Sequence, residues 1–130
     1  MTGIRLPDGY HSLNPYIVAD DVEHLIEFLV RVFQGTERDR SLRPDGRVDH
    51  SDVLIGDSIV MLSEASETYP PRPCVVFAYV DDADATVAEA VAAGASLLLT
   101  PADQPWGDRA GGFVDPANNR WWVATHRPKE

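Results

Sequence analysis

The sequence predicts an α+β domain assembled from two copies of a βαβββ unit. The segment from Tyr16 to Asp21 has the pattern Y-x-V-x-D-D, and a similar pattern, F-x-Y-x-D-D, recurs 61 residues later from Phe77 to Asp82. Each of the two segments is followed by residues with helical periodicity that end at a glycine, and predicted strands follow each helix. A chance likeness between two capped helices is the alternative to a true internal repeat. At 130 residues, the chain has the length of one domain, residues 1–130.

The first module is predicted at residues 11–64, after a surface arm at residues 1–12. A short strand, Leu13–Ala19, leads to Asp20 and Asp21, which are expected to cap an amphipathic helix that ends at Gly35. Two turns, Arg-Pro-Asp-Gly-Arg and Gly-Asp, then separate three strands. These strands are predicted at residues 36–42, 48–55 and 58–63.

The second module is predicted at residues 73–126, after a polar, proline-rich linker at residues 65–72. Its elements are a strand at 74–80, a helix that Asp81 and Asp82 cap and Gly94 ends, a strand at 97–99 and a loop at 101–105. A hairpin from Trp106 to Trp122 then turns at Asp-Pro-Ala-Asn-Asn and extends to Thr125. This hairpin contains all three tryptophans, so its rings either fill the core or line a binding surface.

Composition limits the partners of the chain. The 21 acidic and 11 basic residues give a formal charge of -10, which disfavours nucleic acid and anionic membranes and favours a cationic or neutral small molecule. Cys74 is the only cysteine, so an intrachain disulfide is excluded and a cytoplasmic location is expected. No apolar run reaches the length of a membrane span, and the N-terminal residues lack a basic segment followed by an apolar one, so no signal peptide is expected there.

Three segments, together with the duplicated order, resemble the vicinal oxygen chelate superfamily, which contains glyoxalase, bleomycin-resistance proteins and extradiol dioxygenases. The segments are PYIVADDVEHLIEFLVRVFQG, IGDSIVML and WGDRAGGFVDPANNRWW. The resemblance runs from about His11 to His126 and is nearest to the small glyoxalase-like and bleomycin-resistance-like branch. It implies a curved, mixed sheet that forms a cup, with the helices on the convex side. A second chain commonly completes the cup, and exposed sheet edges also favour a homodimer.

Enzymes of this superfamily bind a divalent metal in the cup through one His, Gln or Glu from each of four strands. Carried over residue by residue, those positions fall on Asn14, Met61, Val75 and Trp122. These side chains are unsuited to a divalent ion, which prefers carboxylate and imidazole ligands. A register shift of one residue adds only Cys74, and His11, His24, His50 and His126 have no close spacing. We therefore predict no metal and no cofactor, with a metal site built around His50 as the alternative.

Alternation along the strands, counted from those positions, predicts two faces of different chemistry. The face inside the cup combines aromatic and isolated polar side chains, as small-molecule pockets do, and carries Tyr16, His50, Asp52, Leu54, Ile59, Ser63, Phe77, Tyr79 and Arg120. The face under the helices carries Ser51, Val53, Ile55, Val60, Leu62, Trp121 and Val123.

The predicted ligand-binding residues are drawn from the cup face and the Trp-Gly segment. They are Tyr16, His50, Asp52, Met61, Phe77, Tyr79, Trp106, Arg109 and Trp122. Their rings either stack on a planar or cationic ligand or simply fill the cup. His50 and Asp52 point the same way and form either a proton-relay pair or an ordinary hydrogen-bonded strand face. Arg109 is expected to balance Asp108 and Asp115, or else to meet an anionic group of the ligand.

The function predicted from these features is that of a metal-free small-molecule-binding protein. It would sequester a drug or metabolite in an aromatic, acid-rimmed cup. The first alternative is a glyoxalase- or dioxygenase-like metalloenzyme, a lyase, isomerase or oxygenase with an atypical metal site. The second is a regulatory or partner-binding module whose cup is vestigial.

Overall fold

The computed structural model describes residues 3–127 and shows the βαβββ order twice. The elements are β1 (Tyr16–Ala19), α1 (Val22–Phe33), β2 (Thr36–Leu42), β3 (Val48–Ile55), β4 (Ser58–Glu64), β5 (Val75–Tyr79), α2 (Ala83–Ala92), β6 (Ser96–Asp103), β7 (Arg109–Val114) and β8 (Arg120–Thr125). The predicted α+β fold of two tandem modules is confirmed. Neither α1 nor α2, the helices described within residues 3–127, is long and apolar enough to cross a bilayer.

Each module forms its own four-stranded mixed sheet, in the order β1-β4-β3-β2 and β5-β8-β7-β6. In both sheets the first strand of the module runs parallel to the last, while the other pairs are antiparallel. Tyr16 pairs with Met61, and Phe77 pairs with Trp122. Since both members of the second pair lie 61 residues after those of the first, the sequence repeat is also a repeat of strand register.

The two modules share one buried core. Helix α1 contacts its own sheet and also reaches the second one, where Phe33 packs against Trp121 with ring centroids 5.0 Å apart. Phe28 and Phe33 both contact Phe113 of β7. Burial of each such side chain contributes about 1.5 to 3 kcal/mol to folding. The helices therefore lie between the two sheets, and in the described part of the chain the opposite face of each sheet carries no helix.

A side chain from the last strand of each module caps its helix. Asp21 is at the N-cap position of α1, as predicted, but it has φ 52° and its side chain makes no capping hydrogen bond. Instead, Glu64 accepts hydrogen bonds from the backbone N–H groups of Asp21 and Val22, each at 3.0 Å. In the second module Thr125, 61 residues after Glu64, accepts from the N–H of Ala83 at 2.8 Å. The prediction that Asp20 and Asp21 cap α1 is thus right for the position of Asp21 but wrong for the capping side chain, which belongs to Glu64.

The cap and the end of α2 agree better with the prediction than those of α1 do. Asp82 accepts from the N–H of Ala85 at 3.1 Å, and Gly94, with φ 109°, follows the end of the helix. At the end of α1, by contrast, the left-handed residue is Gln34, with φ 52°, rather than Gly35.

The loop predicted at residues 101–105 is wrong in its first half, because β6 continues through Pro101 to Asp103. Proline lacks an N–H donor, but β6 is an edge strand, where a missing donor leaves no partner unsatisfied. The pairing of β6 with β7 is irregular between Leu99 and Ala102, on either side of the proline. The first strand is also shorter than predicted, since β1 begins at Tyr16.

Candidate functional site

The face of each sheet opposite the helices, called here the open face, carries the predicted cup residues. Burial agrees with the predicted division into two faces for Ser51, Val53, Val60, Leu62, Trp121 and Val123, which are all buried under the helices. Ile55 of the same predicted face is only partly buried and packs against the core. On the open faces Tyr16 and Phe77 are about half exposed, at 48% and 49%, and Tyr79 is 65% exposed. Large aromatic rings at this level of exposure are available for contact with a ligand.

The open face of the first sheet carries a hydrogen-bonded chain that ends on His50. The imidazole Nε2 of His50 lies 2.8 Å from Oδ1 of Asp52, and the hydroxyl of Tyr10 donates to Oδ2 of the same carboxylate. The ring of Tyr16 packs beside His50, with centroids 5.9 Å apart. The expected pairing of His50 with Asp52 is therefore present. The hydrogen bond that Tyr10 donates to Asp52 raises the pKa of Tyr10, and burial of the phenol acts in the same direction.

Residues 3–15, called here the arm, cover one end of this first open face. Besides the Tyr10 bond, the carbonyl of Asp8 accepts from Arg38 at 2.8 Å, and Nε2 of His11 lies 3.0 Å from the carbonyl of Asp57. Asp52 and Ile59 are consequently buried although they belong to the open face. The sequence provided no sign of this contact, because the residues of the arm lack any periodicity.

The open face of the second sheet is crossed by an apolar row. Strand pairing places Phe77 beside Trp122, Trp122 beside Gly112, and Gly112 beside Leu99. A Cβ built on Gly112 would lie 2.7 Å from the indole of Trp122, so the ring lies directly over the glycine. These four residues are called the apolar row below. Glycine is needed here because a side chain would occupy the space that the indole fills.

At one end of the same sheet, three aromatic side chains meet at a buried carboxylate. Asp108 accepts hydrogen bonds from Nδ1 of His126 at 2.8 Å, from Nε1 of Trp106 at 3.0 Å and from the hydroxyl of Tyr79 at 3.2 Å. The His126 bond lowers the pKa of Asp108, and the bonds from Trp106 and Tyr79 add to this effect, while burial opposes it. The bond to Asp108 also raises the pKa of Tyr79. Asp108, Trp106, Tyr79 and His126 are called the Asp108 cluster below.

Arg109 lies outside these groups. Its guanidinium binds Asp84 through two nitrogens, at 2.6 and 3.1 Å, and Asp103 at 3.2 Å. The expectation that it balances Asp108 and Asp115 is wrong, because its neighbours are the acids of α2 and of the edge strand. Hydrogen bonds to Asp84 and then Asp103 hold the pKa of Arg109 above its usual range.

Asp115 has a structural role instead. It accepts from Nε1 of Trp121 at 2.8 Å and from the side chain and backbone of Asn119, which shapes the turn between β7 and β8. Asn119 in turn accepts from the N–H of Cys74 at 2.9 Å. The Asp-Pro-Ala-Asn-Asn segment thus ties the last strand to β5.

The positions expected to hold a metal in this fold do not fit one. Met61 and Trp122 sit on open faces, Val75 is exposed, and the side chain of Asn14 bonds both backbone groups of His11, at 2.6 and 3.1 Å. A thioether, an indole, an isopropyl group and a locally bonded amide are poor ligands for a divalent ion. Within residues 3–127, no three His, Cys, Asp or Glu side chains are grouped so as to bind a metal ion.

The structure divides the predicted ligand-binding residues between two sheets. Tyr16, His50, Asp52 and Met61 lie together on the first sheet, whereas Phe77, Tyr79 and Trp122 belong to the second. Trp106 lies in the loop between β6 and β7 and bonds Asp108. A groove of about 760 Å³ runs between the modules, at the end of α1 and the start of α2. Of the predicted residues only Tyr79 lines it, beside His126. Sequence reasoning did not identify Tyr10, Asp108 or His126 as members of these groups.

Two sheets with open aromatic faces, each built from a βαβββ unit, define a duplicated fold of the vicinal oxygen chelate type. The model of the Glyoxalase/Bleomycin resistance protein/Dioxygenase superfamily matches residues 10–123 of the chain. The chain belongs to this superfamily.

Sequence relatives extend over most of the chain. A protein of Mycobacterium bovis described as uncharacterised is 32% identical over 121 residues, which covers 85% of this chain and 80% of that protein. An uncharacterised protein of Mycobacterium tuberculosis has the same identity and coverage of this chain, with 71% of its own length covered.

Solved structures with the same fold include an antibiotic binding protein, a fosfomycin resistance protein and TioX. TioX from Micromonospora sp. ML1 has a TM-score of 0.74 at 26% identity, over 88% of this chain and 99% of TioX. TnmS3, an antibiotic binding protein from Streptomyces sp. CB03234, has a TM-score of 0.66 at 23% identity, over 89% of this chain and 97% of its own. The fosfomycin resistance protein FosX from Mesorhizobium loti has a TM-score of 0.65 at 20% identity, over 88% and 91%.

Proposed function

We propose that this protein binds a planar, largely apolar small molecule against the open face of the second sheet and thereby sequesters it. The apolar row carries the proposal. Phe77 is 49% exposed, and the indole of Trp122 beside it occupies the space next to Gly112 where a Cβ would lie. Ring faces aligned across a sheet offer a stacking surface, and each good aromatic contact contributes about 0.5 to 1.5 kcal/mol.

The covering of the first sheet favours the second as the main binding surface. The arm buries Ile59 and the carboxylate of Asp52, and this reduces the exposed area of the first open face. The second sheet has no equivalent cover within residues 3–127, and Val75, Phe77 and Leu99 remain exposed. His50 and Asp52 are then a hydrogen-bonded pair at the margin of the site, and a proton relay through them stays a prediction.

The comparisons support a drug or a drug-like metabolite as the ligand. TnmS3 is described as an antibiotic binding protein and FosX as a fosfomycin resistance protein. Binding here is proposed to need no metal ion, because Asn14, Met61, Val75 and Trp122 stand at the metal-ligand positions of the superfamily. Metal analysis of protein purified without chelators tests this part, and a stoichiometric divalent metal would overturn it.

We further propose that the protein is a homodimer in the cytoplasm, where its single cysteine stays reduced. Val75, Phe77 and Tyr79 expose apolar surface on the open face of the second sheet, and β1, β2, β5 and β6 are edge strands. A second copy that covered part of this surface would also deepen the site. Sedimentation equilibrium at micromolar concentration tests this, and a monomer alone would contradict it.

The binding experiment is a thermal-shift and fluorescence titration with a panel of planar aromatic antibiotics. A ligand of the folded state raises the melting temperature and quenches tryptophan emission. Trp122→Leu should weaken binding about twofold to tenfold through the loss of one stacking contact. Tyr69→Leu is the matched control, because Tyr69 is an exposed aromatic residue in the segment between the modules. Equal loss of affinity in both variants would contradict the proposed site.

A further inference from the structure

The Asp108 cluster differs from an ordinary buried ion pair. The side chain of Asp108 is 1% exposed, and a charge so buried is normally paired with a cation. Here its hydrogen-bond donors are an indole, a phenol and an imidazole. Among residues 3–127 no arginine forms an ion pair with it, since Arg109 binds Asp84 and Asp103, and Arg127 also binds Asp103.

The rings around this carboxylate keep their faces exposed. Trp106, Tyr79 and His126 bond Asp108 through polar atoms at their ring edges, and Trp106 and Tyr79 are 55% and 65% exposed. The Phe77 and Tyr79 centroids are 5.2 Å apart with planes at 60°, while those of Tyr79 and His126 are 6.2 Å apart with planes at 90°. The rings of Phe77, Tyr79 and His126 therefore form a corner rather than a stack, and Trp106 is joined to them through its bond to Asp108.

An open corner of ring faces above a buried negative charge has the chemistry that recognises organic cations. The electron-rich face of an aromatic ring attracts a cation within about 6 Å of its centroid, and rings grouped around a quaternary ammonium are a known use of this attraction. The carboxylate adds an attraction that does not require direct contact. It also fixes the orientation of three side chains, so less conformational entropy is lost when a ligand binds.

The space beside the cluster suits the rest of such a ligand. Tyr79 and His126 line the groove of about 760 Å³ between the modules, whose other walls include Asp81, Asp82 and Glu89. Arg31, the cation on this wall, is bound to Glu89 at 2.5 Å. The groove therefore repels anions and accepts positive charge.

We propose that Trp106, Tyr79 and His126, arranged around Asp108, bind the ammonium group of a small organic cation whose remaining atoms extend into the groove between the modules. This deepens the proposed function, on which it rests, by naming the charge of the ligand and the place where that charge is held.

The test uses choline and its uncharged isostere 3,3-dimethylbutan-1-ol. The two molecules differ at one atom, which is a quaternary nitrogen in choline and a quaternary carbon in the alcohol. Each is titrated into the full chain while the three indole N–H resonances are followed by NMR. Choline should shift the Trp106 resonance saturably and bind about fivefold more tightly than the isostere. Equal affinity of the two probes, or no shift at Trp106, would overturn the proposal.

Variants separate a binding role from a structural one. Trp106→Leu should reduce choline affinity at least about threefold, whereas Tyr69→Leu should leave it unchanged. Asp108→Asn should also weaken choline binding, but Trp106→Leu is decisive because Trp106 is an exposed loop residue whose replacement leaves the core intact. Unchanged choline binding in a folded Trp106→Leu variant would contradict the proposal.

The same titrations distinguish this proposal from the proposed function. Planar aromatic compounds that bind wild-type protein in a Trp122-dependent manner, while choline does not bind, would refute the cation site alone. Choline binding without binding of any planar compound would instead refute the stacking surface.

Discussion

The indole of Trp122 lies over Gly112 on the neighbouring strand, and a Cβ at that glycine would come within 2.7 Å of the ring. The position of the ring on the second open face therefore depends on a missing side chain. The equivalent row of the first sheet pairs Met61 with Asp52, so the two modules have a common register but surfaces of different chemistry. The two modules therefore share a backbone plan and differ in the side chains of their open faces.

Gly112→Ala should displace the indole and destabilise the protein. The added methyl group also approaches the carbonyl of Trp121, at 3.1 Å, so the strand offers little room for adjustment. Overpacking of this kind costs about 1 to 3 kcal/mol. Urea unfolding and near-ultraviolet circular dichroism measure both effects. Gly3→Ala is the control because no atom lies within 4 Å of a Cβ built there, and equal stability of the two variants would contradict the expectation.

Replacement of Glu64 should weaken the start of α1. The carboxylate accepts from the N–H groups of Asp21 and Val22, and a Glu64→Gln amide can accept through one oxygen only. Loss of a helix cap costs about 0.5 to 2 kcal/mol, and Thr125→Val should have a similar effect on α2. Chemical denaturation gives the values. Exposed Glu67→Gln serves as the reference, and stabilities indistinguishable from it would refute the capping role.

Tyr10→Phe should release the arm from the first sheet. The substitution removes the bond to Asp52 but keeps the ring, and a hydrogen bond to a charged group contributes about 1.5 to 3 kcal/mol. Hydrogen exchange in residues 3–15 should become faster, with smaller changes elsewhere. Tyr69→Phe alters an exposed tyrosine outside the arm and should leave exchange unchanged. Unaltered protection of the arm in Tyr10→Phe would mean that its other contacts hold it.

Asp108 should make the stability sensitive to acid. The bond from His126, with those from Trp106 and Tyr79, lowers the pKa of this carboxyl in the folded state. The folded form then binds a proton at Asp108 less readily than the unfolded form. The carboxyl therefore stabilises the fold fully above its unfolded-state pKa of about 3.9, and this stabilisation is lost as the pH falls through the lower pKa of the folded state.

Asp108→Asn should therefore lose less stability than wild-type protein between about pH 5 and about pH 2. Urea unfolding along this series measures the difference. Asp20→Asn alters an exposed acid whose side chain bonds no other residue within 3–127, and this variant should follow the wild-type curve. Parallel curves for wild type and Asp108→Asn would contradict the linkage.

Much of the fold could be predicted from local pattern. Helical and strand periodicity, the 61-residue repeat and the Asp-Pro turn were sufficient to place both helices and nearly all strands, and alternation sorted Val53 and Trp121 onto the buried face. The errors, at Pro101, Gly35 and the cap of α1, occur where an edge position or a distant partner decides the local conformation.

By itself the sequence determined the duplicated architecture, the poor fit of the metal positions and the aromatic character of the open faces, because each depends on residue type and on spacing along one strand. Only the tertiary structure decided that Tyr10 donates a hydrogen bond to Asp52 and that Trp106, Tyr79 and His126 all bond Asp108. These contacts join distant segments through single side-chain hydrogen bonds. Periodicity cannot predict such bonds, since they depend on how the strands are placed side by side.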